Sequence, residues 1–161
     1  MSKNEIYRDI TNWKIREVLN YVQIIDNDSS DFIHKIIQTL QLPKNSDYTG
    51  IIRNETIIDW NKLNIHFSFY FDREGWEERI KQSLNESLKH TSELIITYGY
   101  KEPVIMIPTE IFLESWDDFF SSTHYETIIF SKDYKYIMEV SSHQMIQMIL
   151  EEIFHIHLFR F

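Results

Sequence analysis

The chain has 161 residues, of which 43% are hydrophobic and 25% charged, and its formal net charge is −9 at pH 7. This length and composition predict one globular domain that spans residues 1–161. The negative charge repels phosphate backbones and anionic lipids, so it disfavours binding to nucleic acid or a membrane and favours a neutral or basic partner.

Several residue types that enzymes use are missing or sparse. There is no cysteine, which excludes disulfides, thiolate nucleophiles and cysteine-based zinc sites. The three glycines, Gly50, Gly75 and Gly99, lie too far apart to build a phosphate-binding loop.

No apolar run approaches the roughly 20 residues of a membrane-spanning helix, and the first residues lack the apolar core of a secretory signal. We expect a cytoplasmic protein that needs no cofactor.

The first quarter of the chain gives one ambiguous and one clear pattern. From Asn4 to Ile25 the apolar positions change face, which indicates either a helix that breaks or rotates near Trp13 or an extended second half from Val18 to Ile25; we favour the helix. The turn cluster at residues 26–30 precedes a cleaner helix that ends before Pro43. Its apolar stripe contains Phe32, Ile33, Ile36, Ile37 and Leu40.

The apolar period then alternates between strand and helix. Residues 56–60 and 63–71 predict a hairpin, and the helix that follows has an apolar residue at every fourth position from Trp76 to Leu88. Residues 93–98 and 104–107 predict strands, residues 109–122 a helix, and residues 125–130 with 135–140 a second hairpin. A last helix is expected from Ser141 onwards, and the order predicts an α+β domain, a mainly antiparallel sheet with helices packed on one face.

The helix predicted at residues 109–122 has sharply separated faces. At about 100° per residue, its aromatic side chains gather on one side and its acids on the other. The aromatic stripe contains Phe112, Trp116, Phe119 and Phe120. No Lys or Arg occurs between Lys101 and Lys132. The acids there predict a partner-binding surface for a cationic protein, made of Glu110, Glu114, Asp117, Asp118 and, beyond the helix, Glu126.

The main alternative to partner binding is an enzymatic function, and its candidate residues lie near the C-terminus. Glu152 and His155 would share a face of a helix at the spacing that carboxylate-bridged metal sites use, and His155 and His157 would share a side of a strand. These residues define the alternative of a metal-dependent or small-molecule enzyme. The sequence has no second Glu-x-x-His, so ordinary polar positions among core residues remain the simpler interpretation. A homo-oligomeric structural module is a third possibility.

The run PTEIFLESWDDFF, followed by the hairpin YETIIFSKDYKYIMEV, resembles segments of the small immunity proteins that bacteria keep beside polymorphic or contact-dependent toxins. The resemblance is to a compact, acidic, cysteine-free α+β chain with an aromatic-rich helix before a hairpin, and it covers about a fifth of the sequence. It implies stoichiometric binding to a toxin domain, often a basic nuclease, without catalysis by this chain.

Overall fold

The structure is a computed structural model that describes residues 13–47, 56–70, 74–98, 102–121, 127–140 and 145–149. Its helices are α1 (Trp13–Glu17), α2 (Ser29–Thr39), α3 (Glu77–Leu88), α4 (Thr109–Glu114) and α5 (Trp116–Ser121), with 3₁₀ turns at Leu19–Tyr21 and Trp60–Lys62. The strands are β1 (Gln23–Asp26), β2 (Ile65–Tyr70), β3 (Glu93–Thr97), β4 (Val104–Pro108), β5 (Thr127–Ser131), β6 (Ile137–Val140) and β7 (Met145–Ile149).

The strands form one sheet of seven in the order β1-β4-β3-β5-β6-β7-β2, and every neighbouring pair is antiparallel. Successive residues of a strand point to opposite faces, so the apolar runs of the central strands supply side chains to both faces. The α+β class and the antiparallel sheet predicted from the sequence are confirmed. Within the described residues, no helix has the length and apolarity needed to cross a membrane.

Four of the helices cover one face of the sheet. Apolar residues of α1, α3, α4 and α5 join alternate residues of the central strands in a first hydrophobic cluster, which includes Ile15, Ile80, Leu84, Leu88, Leu94, Ile96, Ile105, Ile107, Phe112, Phe119, Ile129 and Met138. The stripe of every fourth residue in α3 therefore faces the core as predicted. This face carries the aromatic residues of α4 and α5.

The opposite face is covered as well. Ile33 and Ile37 of α2 and residues 57–60 pack on it and form a second hydrophobic cluster, whose strand residues are Ile95, Val104, Met106, Ile128, Phe130 and Ile137. The predicted packing of all helices on one face is therefore wrong: helices lie on both faces, with most of them on the first, because the central strands are apolar on both sides. Because both faces of the central strands are buried, nearly every residue in their sequences is apolar.

Helix α2 begins and ends with recognisable caps. The Asp28 carboxylate accepts a hydrogen bond from the Asp31 amide at 3.0 Å, which satisfies one of the free N–H groups at the start of the helix. At the other end the Leu42 amide donates to the carbonyl of Ile37 at 3.0 Å, and the Gln41 amide donates to that of Gln38 at 3.2 Å. This pair of bonds is a Schellman motif.

The helix favoured over residues 4–25 is wrong in its second half, and its first nine residues lie outside the described part of the chain. Helix α1 ends at Glu17, a 3₁₀ turn follows, and residues 23–26 form β1, which pairs with β4 at the edge of the sheet. The alternative of an extended segment from Val18 to Ile25 is confirmed only from Gln23 onwards. Val22 is buried in the first cluster and Ile24 packs against it, so the extended segment serves the same core as α1.

The hairpin predicted from residues 56–60 and 63–71 is also wrong. Only Ile58 of the first segment makes a β-bridge, to Lys44, and Trp60 begins a 3₁₀ turn. The amides of Ile57 and Ile58 donate to the Glu139 carboxylate at 2.6 and 3.2 Å, so these donors bind a side chain rather than a neighbouring strand. The strand β2 pairs instead with β7.

The last predicted helix is a strand where the structure describes it. Residues 145–149 form β7, which lies between β6 and β2 and pairs with both. Their apolar residues follow helical spacing, with polar Gln147 between Met145 and Ile149, and the two flanking strands supply the backbone partners that make the segment extended instead. The remainder of that prediction, including residues 150–156, and the expected docking of the C-terminal tail lie outside the described residues.

Candidate partner-binding surface

The aromatic and acidic segment predicted as one helix is two short ones. Strand β4 runs directly into α4, and the Thr109 amide donates to the Ser92 carbonyl at 3.0 Å. At Ser115 the backbone leaves the helical region, with φ −144° and ψ 44°, and α5 begins at the next residue. The single helix predicted over residues 109–122 is therefore wrong in its continuity, although both halves are helical.

The aromatic stripe is buried as predicted. Phe112 and Phe119 have no exposed surface, and Trp116 and Phe120 expose 5% each. The ring of Phe112 lies 5.5 Å from that of Phe119 and 5.7 Å from that of Phe120, distances at which aromatic pairs attract one another. Trp116 contacts Phe120 with 5.9 Å between the rings. The two contacts of Phe112 span the break at Ser115 and hold the two helices together on the sheet.

Three of the five predicted surface acids are exposed. Glu110 and Glu114 of α4 and Asp117 of α5 face solvent, and no salt bridge involves them within the part of the chain that is described. We call Glu110, Glu114 and Asp117 the acidic surface. Such exposed carboxylates are well placed to attract a cation and poorly placed to perform acid–base catalysis.

The other two predicted acids, Asp118 and Glu126, do not belong to this exposed group. Asp118 is half-buried, and its carboxylate lies 3.7 Å from the ammonium group of Lys14 in α1. Lys14 also binds Glu17 at 3.1 Å, so one ammonium group is shared by two carboxylates and the charge of Asp118 is neutralised in part. Asp118 thus offers less free charge than the sequence pattern suggested, because the fold brings α1 beside α5. Glu126 lies outside the described residues.

A small cleft that the sequence did not predict lies at one end of the sheet. It has a volume of ≈ 190 Å³ and is lined by His90, Thr91, Ser92, Lys132 and Asp133. Lys132 is paired with Glu93, and the Asp133 carboxylate accepts a hydrogen bond from the Ser131 hydroxyl at 2.7 Å. Residues from two loops far apart in sequence meet here, which no local motif could have signalled.

The predicted metal site cannot be placed, because Glu152, His155 and His157 lie outside the described residues. It therefore remains a prediction. Among the residues that are described, no group of three or more His, Asp or Glu side chains is arranged to hold a metal ion. The described part of the chain offers the acidic surface as its main functional candidate.

Neither a scan against protein-family models nor a search of curated proteins found a match to this chain.

Proposed function

We propose that this chain is a binding protein of the immunity type, which neutralises a basic, nuclease-like toxin domain by stoichiometric binding through its acidic surface. The observation that carries the proposal is the exposure of Glu110, Glu114 and Asp117 without an ion-pair partner among the described residues. Other exposed acids, such as Glu77 and Glu78, also have no salt bridge among the described residues, so it is the grouping of Glu110, Glu114 and Asp117 on two adjacent short helices that marks them as a surface.

The charges favour this function through the rate of association. A protein with a net charge of −9 attracts a cationic partner over distances comparable to the Debye length, and carboxylates grouped on one surface direct the encounter to that surface. Electrostatic complementarity of this kind contributes mainly to association rate and specificity.

The packing beneath the acids favours it as well. Both helices that carry the acidic surface are fixed to the sheet by the buried rings of Phe112, Phe119 and Phe120. A surface on a rigid support loses little backbone entropy on binding, so more of the contact energy appears as affinity.

Reversal of two surface charges tests the proposal. Basic proteins captured from lysate of the source cell on the immobilised chain would be identified, purified and assayed for nuclease activity with and without the chain. The wild-type chain should form a 1:1 complex and inhibit that activity. The double variant Glu114→Lys/Asp117→Lys should associate about tenfold more slowly at low salt, and its rate should depend less on salt, because the attractive field at the surface is lost.

The control is Asp31→Lys/Asp47→Lys, which makes the same change in net charge at two exposed acids outside the acidic surface. Its association rate should stay closer to that of the wild type. Equal rates for the two double variants would reject the acidic surface as the binding site. Absence of any captured basic protein that the chain inhibits would reject the function itself.

A further inference from the structure

One large aromatic side chain is exposed beside the acidic surface. Within the part of the chain that the structure describes, the large hydrophobic side chains that face solvent are Trp13, with 45% of its surface exposed, Tyr21 with 57% and Ile25 with 36%. Of these, Trp13 begins α1, the helix that lies beside α5. A single exposed apolar residue is ordinary, so the groups around Trp13 decide what it can bind.

Lys14 connects Trp13 to the acids of α5. Its ammonium group lies 5.9 Å from the centre of the Trp13 ring and 3.7 Å from the Asp118 carboxylate. The first distance is within the range of a cation–π contact, in which the ring attracts a positive charge. The ring and the carboxylate therefore lie on either side of one ammonium group. Asp117 of the acidic surface is the preceding residue of α5, so Trp13 stands at the border of that surface.

A second carboxylate lies on the same face of α1 as Trp13. Glu17 follows Trp13 by four residues, which places it one helical turn away. Its side chain exposes 57% of its surface; Oε2 accepts a hydrogen bond from Lys14 at 3.1 Å, and no described group binds Oε1. A guanidinium group suits such an arrangement, because it stacks on an aromatic ring and donates in its own plane to a carboxylate.

The charges around Trp13 favour a cation as the ligand. Two cations and three carboxylates belong to α1 and α5, and they are Lys14, Arg16, Glu17, Asp117 and Asp118. Their sum is negative, like the net charge of −9 of the whole chain. Lys14 exposes 14% of its side chain and is shared by two carboxylates, so it opposes an approaching cation weakly. A cation that reaches Trp13 meets a net attraction, which the acidic surface increases.

We infer that Trp13 and Glu17 form an arginine-binding site at the border of the acidic surface, where a guanidinium group of the basic partner stacks on the Trp13 ring and donates to the Glu17 carboxylate. The inference deepens the proposed function and rests on it for the identity of the partner. The ring favours arginine over lysine, because a guanidinium group is planar and more weakly hydrated than an ammonium group. Trp13 thus adds a preference for arginine to a surface whose acids attract any cation.

Two peptides of equal charge, hexa-arginine and hexa-lysine, test the inference when each is titrated into the full chain at low salt in a calorimeter. The wild type should bind hexa-arginine more tightly. Trp13→Leu should weaken the binding of hexa-arginine about two- to fivefold, the factor of an exposed cation–π contact, and that of hexa-lysine by less. Trp13→Phe keeps an aromatic ring and should lose less than Trp13→Leu. Glu17→Gln should weaken hexa-arginine as well, because the carboxylate charge is lost.

Tyr21→Leu is the matched control, since it removes an exposed ring that lies beyond the end of α1. It should leave the binding of both peptides unchanged. Acrylamide quenching of tryptophan fluorescence provides a measurement on the unmodified chain. Trp60 and Trp116 are buried and Trp76 is half-buried, so quenching reports mainly on Trp13. Hexa-arginine should reduce the quenching because it covers the Trp13 ring.

Several results would overturn the inference. The wild type could bind neither peptide, Trp13→Leu could weaken both equally or neither, Tyr21→Leu could lose as much as Trp13→Leu, or hexa-arginine could leave the quenching unchanged. Circular dichroism of each variant separates loss of binding from loss of the fold.

The failure of this inference can be told apart from the failure of the proposed function. A chain that binds arginine through Trp13 but inhibits no basic protein would reject the function and keep the site. A Trp13→Leu chain that binds and inhibits a captured basic protein as tightly as the wild type does would keep the function and reject Trp13 as part of the interface.

Discussion

At the scale of single residues, Glu139 decides the structure of a segment far away in sequence. Its side chain exposes 1% of its surface and accepts hydrogen bonds from the amides of Ile57 and Ile58 and from the indole N–H of Trp60, the last at 2.7 Å. A buried carboxylate is stabilised by several donors of this kind. Through them Glu139 holds residues 57–60 against the second face of the sheet.

Replacement of Glu139 should destabilise the protein strongly. Glu139→Ala leaves three buried donors without their acceptor, and we expect the free energy of unfolding to fall by about 3–5 kcal/mol. Glu139→Gln keeps one acceptor oxygen and should cost less. Trp60→Phe removes one donor but keeps an aromatic ring, and it should cost about 1.5–3 kcal/mol. Urea denaturation measures all three.

Glu78→Gln provides the matched control, since Glu78 is an exposed residue of α3 and its replacement should change stability by less than about 0.5 kcal/mol. A Glu139→Ala variant as stable as this control would show that residues 57–60 do not depend on the carboxylate.

At the scale of elements, the sequence predicted those segments whose apolar residues keep one period. The stripes of α2 and α3 and the strands β3 to β6 have a clear period and were predicted with nearly the observed bounds. The apolar residues of 145–149 have helical spacing. Their extended form follows from pairing with β2, which is distant in sequence, and with β6, the preceding strand. Residues 57–60 depend on Glu139, which no local pattern reveals.

The candidate site was predictable to a similar degree. The separation of rings and acids in α4 and α5 follows from local spacing and was confirmed for Phe112, Trp116, Phe119 and Phe120. The neutralisation of Asp118 by Lys14 was not predictable, because it results from the docking of α1 beside α5. The exposed edge of β1 was missed because residues 23–26 were expected to be helical.

The C-terminal cap of α2 can be improved by one substitution. Gln41 follows the helix with φ 52°, in the left-handed region, and is exposed. A residue with a Cβ atom loses about 1–2 kcal/mol there, whereas glycine adopts this conformation freely but gains entropy in the unfolded chain. We expect Gln41→Gly to stabilise the protein by about 0.5–1 kcal/mol and to raise the melting temperature by about 1–4 °C.

The same exchange three residues earlier is the control. Gln38 is an exposed residue within α2, where glycine is unfavourable, so Gln38→Gly should destabilise by about 0.5–1 kcal/mol. Thermal unfolding of the two variants should give shifts of opposite sign. Two shifts of the same sign would contradict the left-handed conformation of Gln41.

At the scale of the whole molecule, the fold places its main charged candidate and its exposed apolar residues on different elements. The acidic surface belongs to α4 and α5, whereas Tyr21 and Ile25 lie at the edge of the sheet in and before β1. The buried clusters on the two faces of the sheet hold these elements in place.

The excess of acids should also affect stability as a whole. With a net charge of −9 the folded chain repels itself more than the expanded unfolded chain does, and salt screens that repulsion. The melting temperature of the monomer should therefore rise between 10 and 150 mM NaCl, by roughly 2–4 °C for each kcal/mol of repulsion that is screened.

Each exchange of an acid for lysine adds two positive charges, so Glu114→Lys/Asp117→Lys has a net charge of −5 and should show a smaller rise. Because Glu114 and Asp117 are exposed and have no salt-bridge partner among the described residues, their reversal should not lower stability at 10 mM NaCl. A melting temperature that falls with salt in the wild type, or a double variant that is markedly less stable at low salt, would show that these acids make attractive contacts inside the protein and are not available to a partner.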